Sequence, residues 1–107
     1  MNTNHPLKCR QASEYLMEVL DPEIGLNIID LGLVYNINFN ELTKEIFVNM
    51  TLTSQFCPMG ESILGGAEEK LKNGFPDYTI NVSLTFEPVW SYERISETGR
   101  AYLNLLQ

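Results

Sequence analysis

The run Leu33-Val34-Tyr35-Asn36-Ile37-Asn38-Phe39-Asn40, followed by Glu45-Ile46-Phe47-Val48-Asn49-Met50-Thr51-Leu52-Thr53, changes side-chain character at every second residue. Alternation of that kind marks a strand with one buried face. Leu33, Tyr35, Ile37 and Phe39 make one apolar row, and Ile46, Val48, Met50 and Leu52 make another. Setting Phe39 opposite Ile46 brings Ile37 against Val48, Tyr35 against Met50 and Leu33 against Leu52, so both rows share one face. Glu41-Leu42-Thr43-Lys44 then closes a hairpin through a four-residue loop.

Outward from this hairpin the period becomes helical. Cys9, Ala12, Leu16, Val19 and Leu20 form an inner stripe on a first helix, which Asp21-Pro22 ends because proline restricts the residue before it and donates no backbone hydrogen bond. After the hairpin, Pro58 suits the first turn of a second helix with Ile63, Leu64, Ala67 and Leu71 inside. Gly65-Gly66 lowers helix propensity there by about 1 kcal/mol per glycine, with close packing on the sheet as one reason to keep them. Asn73-Gly74-Phe75-Pro76 closes this helix. A third strand carries Ile80, Val82, Leu84 and Phe86, and a last helix carries Ile95, Gly99, Tyr102, Leu103 and Leu106. The order helix–strand–strand–helix–strand–helix predicts an α+β two-layer sandwich, a three-stranded mixed sheet with helices on one face. The opposite face is polar, either open or covered by a partner. A single domain, residues 1–107, is expected from a chain of 107 residues.

Hydrophobic residues make up 44% and charged residues 20%, a globular composition. With 7 Lys+Arg against 14 Asp+Glu the net charge is −7, which argues against binding nucleic acid or anionic lipid and suits a site that attracts cations. No run approaches the ~20 apolar residues of a membrane span, and Met1–Arg10 lacks the pattern of a signal peptide. A cytoplasmic protein is expected. The two cysteines, Cys9 and Cys57, cannot supply the four thiolates of a cluster within one chain. A reducing compartment also disfavours a disulfide between them. Cys9 falls on the core stripe of the first helix, and His5 is isolated near a terminus expected to be mobile.

Topology then gathers the chemistry. The start of the first strand lies beside the end of the second, and a crossover helix returns the third strand parallel to the second. Asp30-Leu31-Gly32, Ser54-Gln55-Phe56-Cys57 and Glu87-Pro88-Val89-Trp90 therefore converge at one edge. Cys57, ahead of Pro58 at a helix start, has a setting that favours thiolate. Asp21, Glu23 and Asp30 add carboxylates, and Thr51, Thr53 and Ser54 add hydroxyls. Thiolate with carboxylate is a partial ligand set for iron or zinc. Other readings stay open: Cys57 as a small buried residue, Asp21 as a turn former, Asp30 as a cap before Gly32, Thr51 and Thr53 as ordinary strand residues, and Trp90 as an apolar lid or a grip for a partner.

Val19-Leu20-Asp21-Pro22-Glu23-Ile24-Gly25 with Ile28-Ile29-Asp30-Leu31-Gly32-Leu33-Val34-Tyr35 resembles the opening motif of the SufT/PaaD-like family of iron–sulfur assembly proteins. Met50-Thr51-Leu52-Thr53 with Cys57-Pro58 resembles its second motif, and Glu87-Pro88-Val89-Trp90 its third, with Val89 where the family has a second proline. Gly60-Glu61 after Cys57-Pro58-Met59 is a second departure. The resemblance covers residues 12–105. It implies a small α/β sandwich that serves maturation of iron–sulfur proteins, with Asp21, Glu23, Asp30, Thr51, Thr53 and Cys57 on motif positions. Cys57 is then the metal-contacting candidate, the carboxylates its weaker companions. Transient iron or an iron–sulfur cluster would be the cargo, with assembly scaffolds and client apoproteins as partners and a homodimer pairing two Cys57 residues as one geometry. Absence of a PaaD-like cysteine-rich tail favours the SufT-like role. The competing expectation is a metal-free adaptor that docks scaffold and client through the polar sheet face and Trp90. A thiol enzyme is disfavoured, because no histidine base or CxxC pair accompanies Cys57.

Overall fold

The computed structural model describes residues 1–54 and 58–105. The chain runs β1 (Asn2–Thr3), α1 (Pro6–Leu16), β2 (Val34–Asn40), β3 (Glu45–Met50), α2 (Gly60–Gly74), β4 (Thr79–Leu84), a 3-10 turn (Tyr92–Arg94) and α3 (Glu97–Leu105). The sheet order is β1-β2-β3-β4, with β2 antiparallel to β3 and the outer pairs parallel. It is the expected α+β architecture with one more strand than the sequence predicted.

The added strand is β1, which the reading of a mobile terminus passed over. Two polar residues carry no periodic signal, and the strand is held by its continuation: the Asn4 amide donates to the Phe39 carbonyl (2.9 Å) and its oxygen accepts from the Phe39 N–H (2.8 Å). A side chain thus completes the ladder where the backbone leaves it. His5 follows as the cap of α1, its Nδ1 accepting from the Lys8 N–H at 3.2 Å. Cys9, Ala12 and Leu16 are buried along α1. The helix stops at Leu16, short of the expected Asp21-Pro22, because Val19 and Leu20 leave it to meet the loop's return: Ile28 N–H bonds the Val19 carbonyl and Leu20 bridges Asn27. Val19 still reaches the core, whereas Leu20 turns to solvent.

In the hairpin, Phe39 pairs with Ile46 and Ile37 with Val48 as the alternation requires. The register then slips: Val34, not Tyr35, stands opposite Met50. A β-bulge at Tyr35 is responsible, placing two residues of β2 against one of β3. Leu33 and Val34 are both buried as a result, and Tyr35 leaves the inner row.

Helix α2 begins at Gly60, behind the expected proline turn, where a Cβ would strike Leu52 Cδ1. Ile63, Ala67 and Leu71 are its buried stripe. Of the glycine pair only Gly66 packs closely, against Val19; Gly65 faces open space. In α3, Gly99 is buried and Tyr102 is exposed; Leu106 lies outside the described residues. No helix among the described residues is long and apolar enough to cross a membrane.

Candidate functional site

Of the three segments expected to meet, the first and the third are joined by specific bonds, while the second, Ser54 to Cys57, lies mostly outside the described residues. The loop after α1 is shaped by Asp21, buried at 2% exposure, whose Oδ1 accepts from the Glu23 N–H (2.9 Å) and the Ile24 N–H (3.3 Å). This is the turn that an aspartate forms with its own backbone, two and three residues on. Glu23 is exposed on the same loop. Asp30, half-buried, accepts from Asn27 Nδ2 (2.7 Å) and from the Ser96 hydroxyl (2.8 Å), while its carbonyl accepts from the Ser96 N–H (2.8 Å). Ser96 Oγ in turn accepts from the Gly99 N–H at 3.0 Å, the bond of an N-cap. Asp30 therefore orients the cap of α3.

The third segment closes on the first. Trp90 Nε1 donates to the Leu31 carbonyl at 2.7 Å, and the half-buried ring packs against the core. Tyr35, freed by the bulge, donates its hydroxyl to the Pro88 carbonyl at 2.8 Å. The Arg94 guanidinium lies 4.5 Å from the Tyr35 ring centroid, a cation–π contact. Gly32 has φ +75°, and a Cβ there would overlap the Arg94 carbonyl. A cleft of about 430 Å³ opens beside this seam, lined among others by Gly32, Tyr35, Glu87, Pro88 and Arg94. Tyr35, Arg94 and Ser96 were missed as contributors. Ser96 before Glu97 was a readable cap signal; nothing in the alternation announced the bulge that turns Tyr35 outward.

The second segment arrives from β3. Thr51 is fully buried, its N–H on the Leu33 carbonyl (2.8 Å), and Leu52 packs beneath Gly60. Thr53 is half-buried and Ser54 exposed. Cys57, the thiol on which the sequence reading turns, lies outside the described residues. Among the described residues no three His, Cys, Asp or Glu side chains gather as a metal-binding group. Asp21 and Asp30 carry structural bonds, which leaves Glu23 as the solvent-facing carboxylate of the three.

The sequence profile of a family described as iron–sulfur cluster assembly protein matches residues 10–84. A Porphyromonas gingivalis protein called Fe-S protein maturation auxiliary factor is 35% identical over 91 residues, 85% of this chain and 86% of its own. The Staphylococcus aureus Fe-S protein maturation auxiliary factor SufT is 33% identical over 87 residues, 81% of this chain and 98% of its own. A crystal structure from Bacillus anthracis, described as a domain of unknown function, superposes with TM-score 0.84 at 33% identity, covering 90% of this chain and 91% of that one.

Proposed function

This chain belongs to the family of iron–sulfur cluster assembly proteins and resembles its SufT-like members, and from that membership we propose that it is an accessory maturation factor for iron–sulfur proteins. Its cargo is iron or a cluster, held transiently by the Cys57 thiolate and passed to client apoproteins in the reducing cytoplasm. It performs no catalytic turnover of its own. The observation that supports this reading is the seam itself: the first and third motifs are fastened together at the edge toward which β3 delivers Thr53 and Ser54, three residues ahead of Cys57.

The donors fit a carrier better than a store. Asp21 and Asp30 are occupied in shaping the loop and capping α3, which leaves Glu23 as the exposed carboxylate among the three motif acids. Remaining positions fall to a second copy or to the scaffold and client. Open positions of that kind make a site easy to fill and easy to empty.

Anaerobic reconstitution with ferrous iron and sulfide tests the proposal. Wild type should take up iron and transfer it to an apo-ferredoxin, and Cys57→Ser should lose uptake while keeping its fold. Asp30→Asn should lower stability with uptake retained. Equal uptake by wild type and Cys57→Ser removes the ligand role and leaves a metal-free adaptor that docks scaffold and client proteins.

A further inference from the structure

Strand β4 is the outer strand of the sheet, and its outer edge, unpaired among the described residues, is well prepared for another strand. In its parallel pairing with β3, Thr79 N–H bonds the Lys44 carbonyl and Thr85 N–H bonds the Met50 carbonyl, so the odd-numbered residues face β3. The N–H and C=O groups of Ile80, Val82 and Leu84 therefore point outward. Natural edges are guarded by charges, prolines or bulges. Thr79-Ile80-Asn81-Val82-Ser83-Leu84 has none of these, in a chain of net charge −7. Its inner row is also incomplete: Ile80 and Val82 are half-buried and Leu84 is 42% exposed.

The flank of α2 beside this edge supplies the second feature. Two grooves of about 300 and 230 Å³ share Glu68 and Lys72, the first reaching Gly65 and the second Thr79 and Ile80. At helical spacing Glu61, Gly65, Glu68 and Lys72 form one stripe. Lys72 Nζ is bonded to the carbonyls of Pro76 (3.0 Å) and Tyr78 (2.8 Å) and keeps its positive charge there, while Glu61 and Glu68, with Glu69 beside the first groove, leave the flank net acidic around a bare glycine. Gly65 weakens the helix by about 1 kcal/mol, and a Cβ there would meet nothing within 4 Å among the described residues, so close packing of the kind seen at Gly66 does not account for it.

We infer that the β4 edge and the α2 flank together form a docking groove for an extended, basic segment of a partner protein, which adds to the sheet as a fifth strand. Backbone bonds to Ile80, Val82 and Leu84 hold the segment. Its side chains on the helix-layer side alternate Lys or Arg, a small apolar residue, then Lys or Arg. Four residues of strand span about 13 Å, and Glu61 and Glu68 stand about 10 Å apart along α2, with Gly65 giving room between them. A second copy of the chain is a poor occupant, since pairing β4 with β4 would bring two acidic flanks together. The test of this groove is independent of iron.

The probe is a capped seven-residue peptide of threonine alternating with Lys, Val and Lys, titrated into the apo protein at low salt and followed by amide NMR and hydrogen exchange. The amides of Ile80, Val82 and Leu84 should shift and gain protection, and added salt should weaken binding. A peptide with Glu for both Lys should bind at least tenfold less tightly. Gly65→Gln should raise thermal stability yet weaken binding about fivefold; Val82→Pro, which removes an outward N–H and no ladder bond, should weaken it about as much, the weight of one backbone hydrogen bond. Equal binding of the two peptides, unperturbed β4 amides, or a concentration-dependent dimer mapped to β4 would overturn the inference.

Discussion

Gly32 and Gly65 show how differently one residue type is constrained. At Gly32 the backbone is left-handed and the Arg94 carbonyl fills the space that a Cβ would take, so the loop and the 3-10 turn touch backbone to backbone. Gly32→Ala should lower unfolding free energy by about 3 kcal/mol, from strain and displaced contact together, measured by urea titration. Gly65→Ala should do the reverse and add up to about 1 kcal/mol, because the position is helical and unobstructed. The sequence separates a glycine at a turn from one inside a helix, but not what a side chain would meet at either. Helical periodicity announced Gly65 as a liability and offered packing as its reason, a reason that holds only for Gly66. Asp21 and Asp30 carry a similar lesson. Their positions were legible, but whether a carboxylate shapes a turn or faces a ligand depends on which amides lie within 3 Å, and spacing does not contain that.

Among elements, the joint that ties α1, the hairpin loop and the turn before β4 has a consequence in acid. Lys8 Nζ lies 2.8 Å from both Glu41 carboxylate oxygens, and the Tyr78 hydroxyl donates to Glu41 at 2.6 Å. These hydrogen bonds, the one from Lys8 foremost, hold the Glu41 carboxyl at about 2, below its ordinary 4.5. A carboxyl depressed in the folded state contributes stability that is complete above the unfolded value and fades as pH falls from about 4.5 toward 2. Glu41→Gln should therefore flatten the pH dependence of stability in that window and matter little to its slope at neutral pH, as denaturant titrations from pH 2 to 7 would show. A second joint is the α3 cap: Ser96→Ala should cost about 1 kcal/mol and fray the helix, read by hydrogen exchange at Gly99 and Arg100. The main elements were readable because buried rows repeat at 2 or 3.6 residues. Their ends were not: α1 stops where a loop offers Val19 a better backbone partner, and β2 slips where a bulge absorbs one residue.

At the scale of the molecule, the order of the central strands followed from the hairpin and one crossover helix, and the approach of the first and third segments followed from the same topology. What escaped was β1, a strand of two polar residues that exists through the Asn4 amide on Phe39. Asn4→Ala should release it, with loss of protection at the Phe39 amide while the hairpin stays intact. The seam between the first and third segments is made by specific bonds: Trp90 to Leu31, Tyr35 to Pro88, and Ser96 to Asp30 sew the last quarter of the chain to the first third. One of these stitches is luminous. Trp90 is the chain's single tryptophan, so its emission spectrum is a label-free gauge of whether the seam is shut. Shut, the indole glows blue from its sheltered berth; prised open by mutation, acid or an arriving client, it glows redder as water reaches it.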